Sequence, residues 1–187
     1  MKVLVYASKD LIRYIEPYLG KRFFVNNYYK SMGLDFYRKK IEKKMPTIGY
    51  VEINYYFWIL NPDLNFDHIR ADYEAGARGA IVLLDMTSEE FTYQLRKVLE
   101  EFFKINQEKM PIVFLFKVKH EMLNELDEEK TLQLVQIEAD ILISHGVLVG
   151  FYFFSEKNTR PIKEALKNLL YLISRKIIPT DTKEDKI

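Results

Sequence analysis

A lysine ammonium can hold a phosphate, and Lys9, Lys117 and Lys157 are the candidates for that chemistry in this chain. A phosphate cradle needs more than a lysine. The pattern G-x-x-x-x-G-K-[ST] between a first strand and its helix supplies glycines that let backbone N–H groups close round the phosphates. Here Lys2–Ala7 runs directly into Ser8-Lys9-Asp10, and none of the seven glycines precedes Gly20. Asp10 stands where the first helix should open and suits an N-cap, its carboxylate taking the N–H groups that a phosphate would use. Histidine offers a second chemistry, but His68 and His145 fall in segments separate from His120 and without metal-ligand spacing, so His120 reads as a surface histidine. The absence of cysteine excludes a thiol nucleophile, thiolate metal sites and disulfides. No serine is expected beside a plausible histidine, and no carboxylate pair is placed by spacing alone.

The elements that would position these residues alternate strand and helix. Lys2–Ala7 is a short apolar run without polar alternation, as a strand covered on both faces requires. Pro17 predicts a short or kinked first helix, because it removes a helical hydrogen bond at a cost of about 3 kcal/mol. Phe36–Ile41 and Ile48–Trp58 read as an antiparallel pair, with Arg38, Lys39, Lys40, Lys43 and Lys44 protecting a solvated hairpin edge. Gly79–Met86 and Pro111–Phe116 are buried strands, and Thr87-x-x-Glu90 is a capping box for a helix carrying Phe91, Leu95, Val98, Leu99 and Phe102. Glu128–His145 is a further helix stopped by Gly146. Val147–Phe154 is the last strand, and Pro161 suits the first turn of a closing helix with Ile162, Leu166, Leu169, Leu170 and Ile173 on one face. The pattern predicts an α/β sandwich built on a mostly parallel six-stranded sheet, with one antiparallel hairpin strand and helices on both faces. A single domain over 1–178 and a charged tail over 179–187 complete the expected organisation.

Several segments resemble the small GTPases of the Ras superfamily, Rab-like members in particular. Trp58, Phe66, Tyr73, Gly76-Ala77 and Asp85-Met86-Thr87 fall in register with the second switch and the strand that follows it. Tyr28-Tyr29-Lys30-Ser31-Met32-Gly33-Leu34-Asp35-Phe36 is similar to the first switch, Tyr-x-x-Thr-Ile-Gly-Val-Asp-Phe. Ser155-Glu156-Lys157-Asn158 is in register with the Ser-Ala-Lys-Thr that helps hold guanine. The resemblance implies the three-layer fold of that family and marks Ser31, Asp63, Lys117, His120, Ser155 and Lys157 as vestigial positions of a nucleotide site. The catalytic pattern departs from the family. Ile59-Leu60-Asn61-Pro62-Asp63 replaces Asp-x-x-Gly-Gln, and Lys117-Val118-Lys119-His120 replaces Asn-Lys-x-Asp. A neutral imidazole has one acceptor nitrogen where an aspartate can accept two parallel bonds from guanine.

What remains is an expected binding module. In Rab-like GTPases an aromatic triad forms much of the effector patch, and Phe36, Trp58 and Tyr73 match its spacing; large aromatics of this kind anchor protein interfaces. The expectation is a pseudo-GTPase without cofactor, metal or GTP hydrolysis, recognising protein partners of the effector or regulator type. An atypical GTP- and magnesium-dependent enzyme, with Ser31 on the metal, and an obligate structural subunit are the alternatives. The formal charge of +1 gives no global field toward nucleic acid. Lys2 and the lack of cysteine exclude the common lipid anchors, no apolar run is long enough to span a bilayer, and the expected compartment is the cytoplasm.

Overall fold

A computed structural model describes residues 1–23, 34–45, 49–60, 74–105, 110–121, 140, 143–144 and 146–177. The predicted helix over 128–145 lies for the most part outside these residues, and the tail over 179–187 lies wholly outside them.

The described chain forms an α/β structure around a seven-stranded mixed sheet in the order β2-β3-β4-β1-β5-β6-β7. The strands are β1 (Lys2–Tyr6), β2 (Lys21–Arg22), β3 (Leu34–Met45), β4 (Gly49–Leu60), β5 (Ala77–Asp85), β6 (Ile112–Lys117) and β7 (Val149–Phe154). Central β1 is parallel to both β4 and β5, and the parallel run continues through β6 to β7. The antiparallel pairings are β2 with β3 and β3 with β4. The sheet therefore has seven strands rather than six. The additional one arises where Lys21 and Arg22 pair with Arg38 and Tyr37, fastened by an ion pair and paired hydrogen bonds from Arg22 to Asp35.

The described helices include α1 (Lys9–Ile15), α2 (Phe91–Ile105) and α3 (Arg160–Ile177). Helix α1 stops at Ile15 and gives way to one 3-10 turn, Glu16–Tyr18, because Pro17 cannot continue the α-helical ladder. Its N-cap is Ser8 rather than Asp10; the aspartate lies in the first turn, where its negative charge is favourable to the positive end of the helix dipole. The predicted capping box at Thr87 does not form. The Thr87 amide and hydroxyl both donate to Asp85 Oδ1, at 2.9 and 2.6 Å, and α2 begins only at Phe91. A carboxylate two residues upstream was the nearer acceptor and won the threonine.

The pleat of the sheet divides the interior. Val3 and Val5 join one core cluster with Leu11 and Ile15 of α1 and Leu166, Leu169 and Ile173 of α3. Leu4 and Tyr6 join a second with Phe91, Leu95, Val98 and Leu99 of α2. Successive side chains of one strand enter opposite cores, so β1 reads as a continuous apolar run although each core takes only every second residue.

Candidate functional site

In open α/β sheets, ligands bind beyond the carboxyl ends of parallel strands. In this chain those ends carry Asp85 from β5, Lys117 from β6 and, just past β7, Ser155 and Glu156. Their side chains meet one another. Lys117 Nζ donates to Asp85 Oδ2 at 3.0 Å and lies 3.4 Å from Glu156 Oε1. From the other side Tyr14 of α1 donates its hydroxyl to the same Glu156 oxygen at 2.7 Å, and Arg13 donates to the Tyr14 oxygen at 2.9 Å while standing 3.6 Å from Glu156. One ammonium is thus shared between two carboxylates.

Protonation follows from these contacts. Burial works to raise the Asp85 carboxyl, but the Thr87 hydroxyl, the Lys117 hydrogen bond and the Thr87 amide outweigh it and hold the group below its ordinary value. Burial likewise works to lower Lys117, and the Asp85 bond and charge reverse it, leaving the ammonium more firmly protonated than usual. Glu156 is lowered chiefly by the Tyr14 hydroxyl and then by Lys117. At neutral pH the network is fully ionised and its charges are internally compensated.

A cleft of about 270 Å³ opens beside it, lined among others by Thr87, Lys117, Lys119, His120, Glu156 and Lys157. Three lysines in its lining face two carboxylates, Glu121 and Glu156. The floor is closed by a contact that separation in sequence conceals. His120 Nδ1 lies 3.1 Å from Ser155 Oγ, so the histidine is half-buried rather than a surface residue, and a serine does stand beside it. The pair does not have the features of a nucleophilic dyad. Ser155 is 1% exposed, and its hydroxyl also accepts the Asn158 amide at 3.2 Å, closing the turn that leads into α3. Within the described residues no group of three or more histidines and carboxylates is placed to hold a metal ion.

The other sequence-predicted positions divide as follows. Lys117, His120, Ser155 and Lys157 meet in or beside the cleft. Lys9 is exposed at the start of α1, and only Ala7 and Ser8 separate it from the end of β1. Ser31, Asp63 and Tyr73 lie outside the described residues. Phe36 and Trp58 are paired directly across β3 and β4, their rings edge to face at 4.8 Å between centroids. Both are half-buried against the α2-side core, and the Lys2 ammonium sits 3.7 Å above the Trp58 ring. Lys2 also donates to the Ala75 carbonyl at 3.0 Å. Sequence reasoning missed Asp85 and Glu156 as partners of Lys117, and Tyr14 and Arg13 as partners of Glu156. The available signal was Glu156 itself, an acid in a position where the resemblance has alanine.

No protein-family model matches the chain, and no curated protein matches it.

Proposed function

We propose that this chain is a small-GTPase-like protein without a working nucleotide site, a pseudo-GTPase that acts by presenting the Phe36–Trp58 surface to a cytoplasmic protein partner of the effector or regulator type, with Tyr73 as the third anchor that the resemblance implies. The observation that carries this proposal is the ion network at the strand ends. A bound nucleotide would bring its phosphates and base to those ends, and there Lys117 is already committed to Asp85 and Glu156. An incoming phosphate would have to displace two carboxylates and then remain beside them, which costs Coulomb energy twice over. The turn after β1 has no glycine and only two residues, so it does not offer the backbone nest from which phosphate sites are made. With no γ-phosphate to order or release a loop, such a protein would act as a constitutive adaptor rather than a timer.

The aromatic surface supplies the positive half of the proposal. Half-buried rings fixed by a cross-strand contact present apolar area at small entropic cost, which is the quality shared by interface anchors. Trp58→Ala should abolish partner capture while the protein keeps its fold by circular dichroism. Thermal-shift titration with GTP, GDP and ATP, each with magnesium, tests the negative half. A ligand at one hundred times its Kd stabilises by about 2.7 kcal/mol, a readily measured shift. Stabilisation of that size by any of the three nucleotides would refute the proposal and favour the atypical nucleotide-binding alternative.

A further inference from the structure

On the opposite face of β3 and β4 from Phe36 and Trp58, a groove of about 470 Å³ runs between the β3–β4 hairpin and α3. Its floor is Ile41 of β3, Ile53 and Tyr55 of β4, and Leu166 and Leu170 of α3. The two sides are rimmed by lysines at matching periods. Lys39 and Lys43 flank Ile41 at the two-residue spacing of one strand face, and Lys163 and Lys167 stand one helical turn apart beside Leu166 and Leu170. We infer that this groove binds a single-chain anionic amphiphile, a long-chain fatty carboxylate whose tail lies on the apolar floor and whose head group meets the lysine rim.

Charge complementarity is the first support. Four lysines line the groove against one carboxylate, Glu42, and that carboxylate is 3.9 Å from Lys40, which is not a lining residue. Among the described residues no acidic side chain forms an ion pair with Lys163 or Lys167. Burial first, and then the like charge of Lys163, lower the affinity of Lys39 for its proton, so Lys43, Lys163 and Lys167 carry the firmer positive charge of the rim.

The floor decides what kind of anion fits. Its polar groups are turned to backbone carbonyls. Tyr55 donates to the Leu170 carbonyl at 3.2 Å and Ser174 to the Tyr171 carbonyl at 2.8 Å, and of the rim lysines Lys39 is itself held to the Tyr18 carbonyl at 2.7 Å. Little is left there to recognise a sugar, a base or an extended peptide backbone, and hydrocarbon satisfies such a surface best.

The test is calorimetric titration of the whole protein with sodium decanoate, sodium dodecanoate and dodecanol, all below their aggregation limits. Dodecanoate should bind at one site and about fifteenfold more tightly than decanoate, since ~0.8 kcal/mol per buried CH₂ corresponds to about fourfold for each methylene. Replacing both exposed lysines, Lys163→Glu with Lys167→Glu, should weaken dodecanoate by roughly tenfold or more and leave dodecanol unchanged, the latter showing that the groove is intact. The milder pair Lys163→Gln with Lys167→Gln should give the same ranking. Equal affinity for dodecanoate and dodecanol, no dependence on chain length, or a double variant that binds as the parent does would overturn the proposal. So would binding confined to vesicles of anionic phospholipid, which would assign the face to a membrane surface instead.

Discussion

Lysine has opposite circumstances at two places in this molecule. At the carboxyl ends of β5, β6 and β7, Lys117 is held between Asp85 and Glu156, and its charge is spent within the protein. Around the groove under α3, Lys163 and Lys167 face solvent across an apolar floor, with no carboxylate partner among the described residues. The difference teaches that a lysine count says little about anion binding until each ammonium has been matched with its neighbours. By resemblance alone the strand ends are the place to look for a ligand, yet Lys117, the lysine that β6 delivers there, is already matched by two carboxylates.

The comparison can be broken first through the backbone. Gly20, with φ of +94°, leads the chain under the hairpin into β2, and a Cβ there would collide with the Arg38 carbonyl oxygen. Gly20→Ala should therefore destabilise the protein by about 2–4 kcal/mol, combining left-handed strain with a clash that no side-chain rotation relieves. Urea unfolding measures it, and a loss below about 1 kcal/mol would mean that the hairpin can shift away from the turn.

Asp85→Asn comes next. It leaves the partly buried Lys117 with the exposed Glu156 as its remaining carboxylate partner and should cost about 1.5–3 kcal/mol in the same experiment. A neutral outcome would show that Lys117 swings out to water and that the strand-end network is not a constraint.

The pH dependence sharpens the point. Asp85 has a folded pKa below its unfolded value near 3.9, so its contribution is present above about pH 4 and is lost as pH falls through the folded value. Glu156 acts in the same direction. Lys117 is raised, so its share is complete below the unfolded pKa near 10.4 and disappears as pH rises through the folded one. Lys117→Met should flatten both limbs of the stability profile, which thermal denaturation across pH reports; an unchanged acid limb would assign that limb to other carboxylates.

The smallest effect belongs to the groove. Lys163→Gln and Lys167→Gln should each change stability by no more than about 0.5 kcal/mol, as expected of exposed side chains without ion-pair partners. A larger loss on denaturation would mean that the rim lysines hold the fold and are not free for a ligand.

The sequence made some of this legible and hid the rest for physical reasons. Strands β1, β5 and β6 can be read directly, because a strand covered on both faces must be apolar throughout. Pro17 marks the end of α1 through a rule of backbone geometry. The two-residue β2 has too few residues for any pattern to appear. Thr87 misled because a cap and a turn compete for one hydroxyl, and the outcome depended on Asp85. His120 and Ser155 are 35 residues apart, and only the parallel register of β6 with β7 brings their turns together. The hairpin lysines read as one solvated edge, yet the pleat places Lys39 and Lys43 at the groove while Lys40 pairs with Glu52 away from it. Periodicity could have suggested that division, but the helix completing the groove is more than a hundred residues later in the chain.

The ammonium of Lys2 over the ring of Trp58 has an optical consequence. Trp58 is the single tryptophan among thirteen tyrosines, so indole emission comes from one place, and a cation 3.7 Å from its ring makes that emission sensitive to any displacement of Lys2. The groove is lined by Tyr18, Tyr55 and Tyr171 and contains no indole. A partner docking on the aromatic surface should thus shift tryptophan fluorescence, whereas a ligand in the groove should act on tyrosine alone. The unmodified chain therefore carries a single-site spectral reporter on its aromatic face.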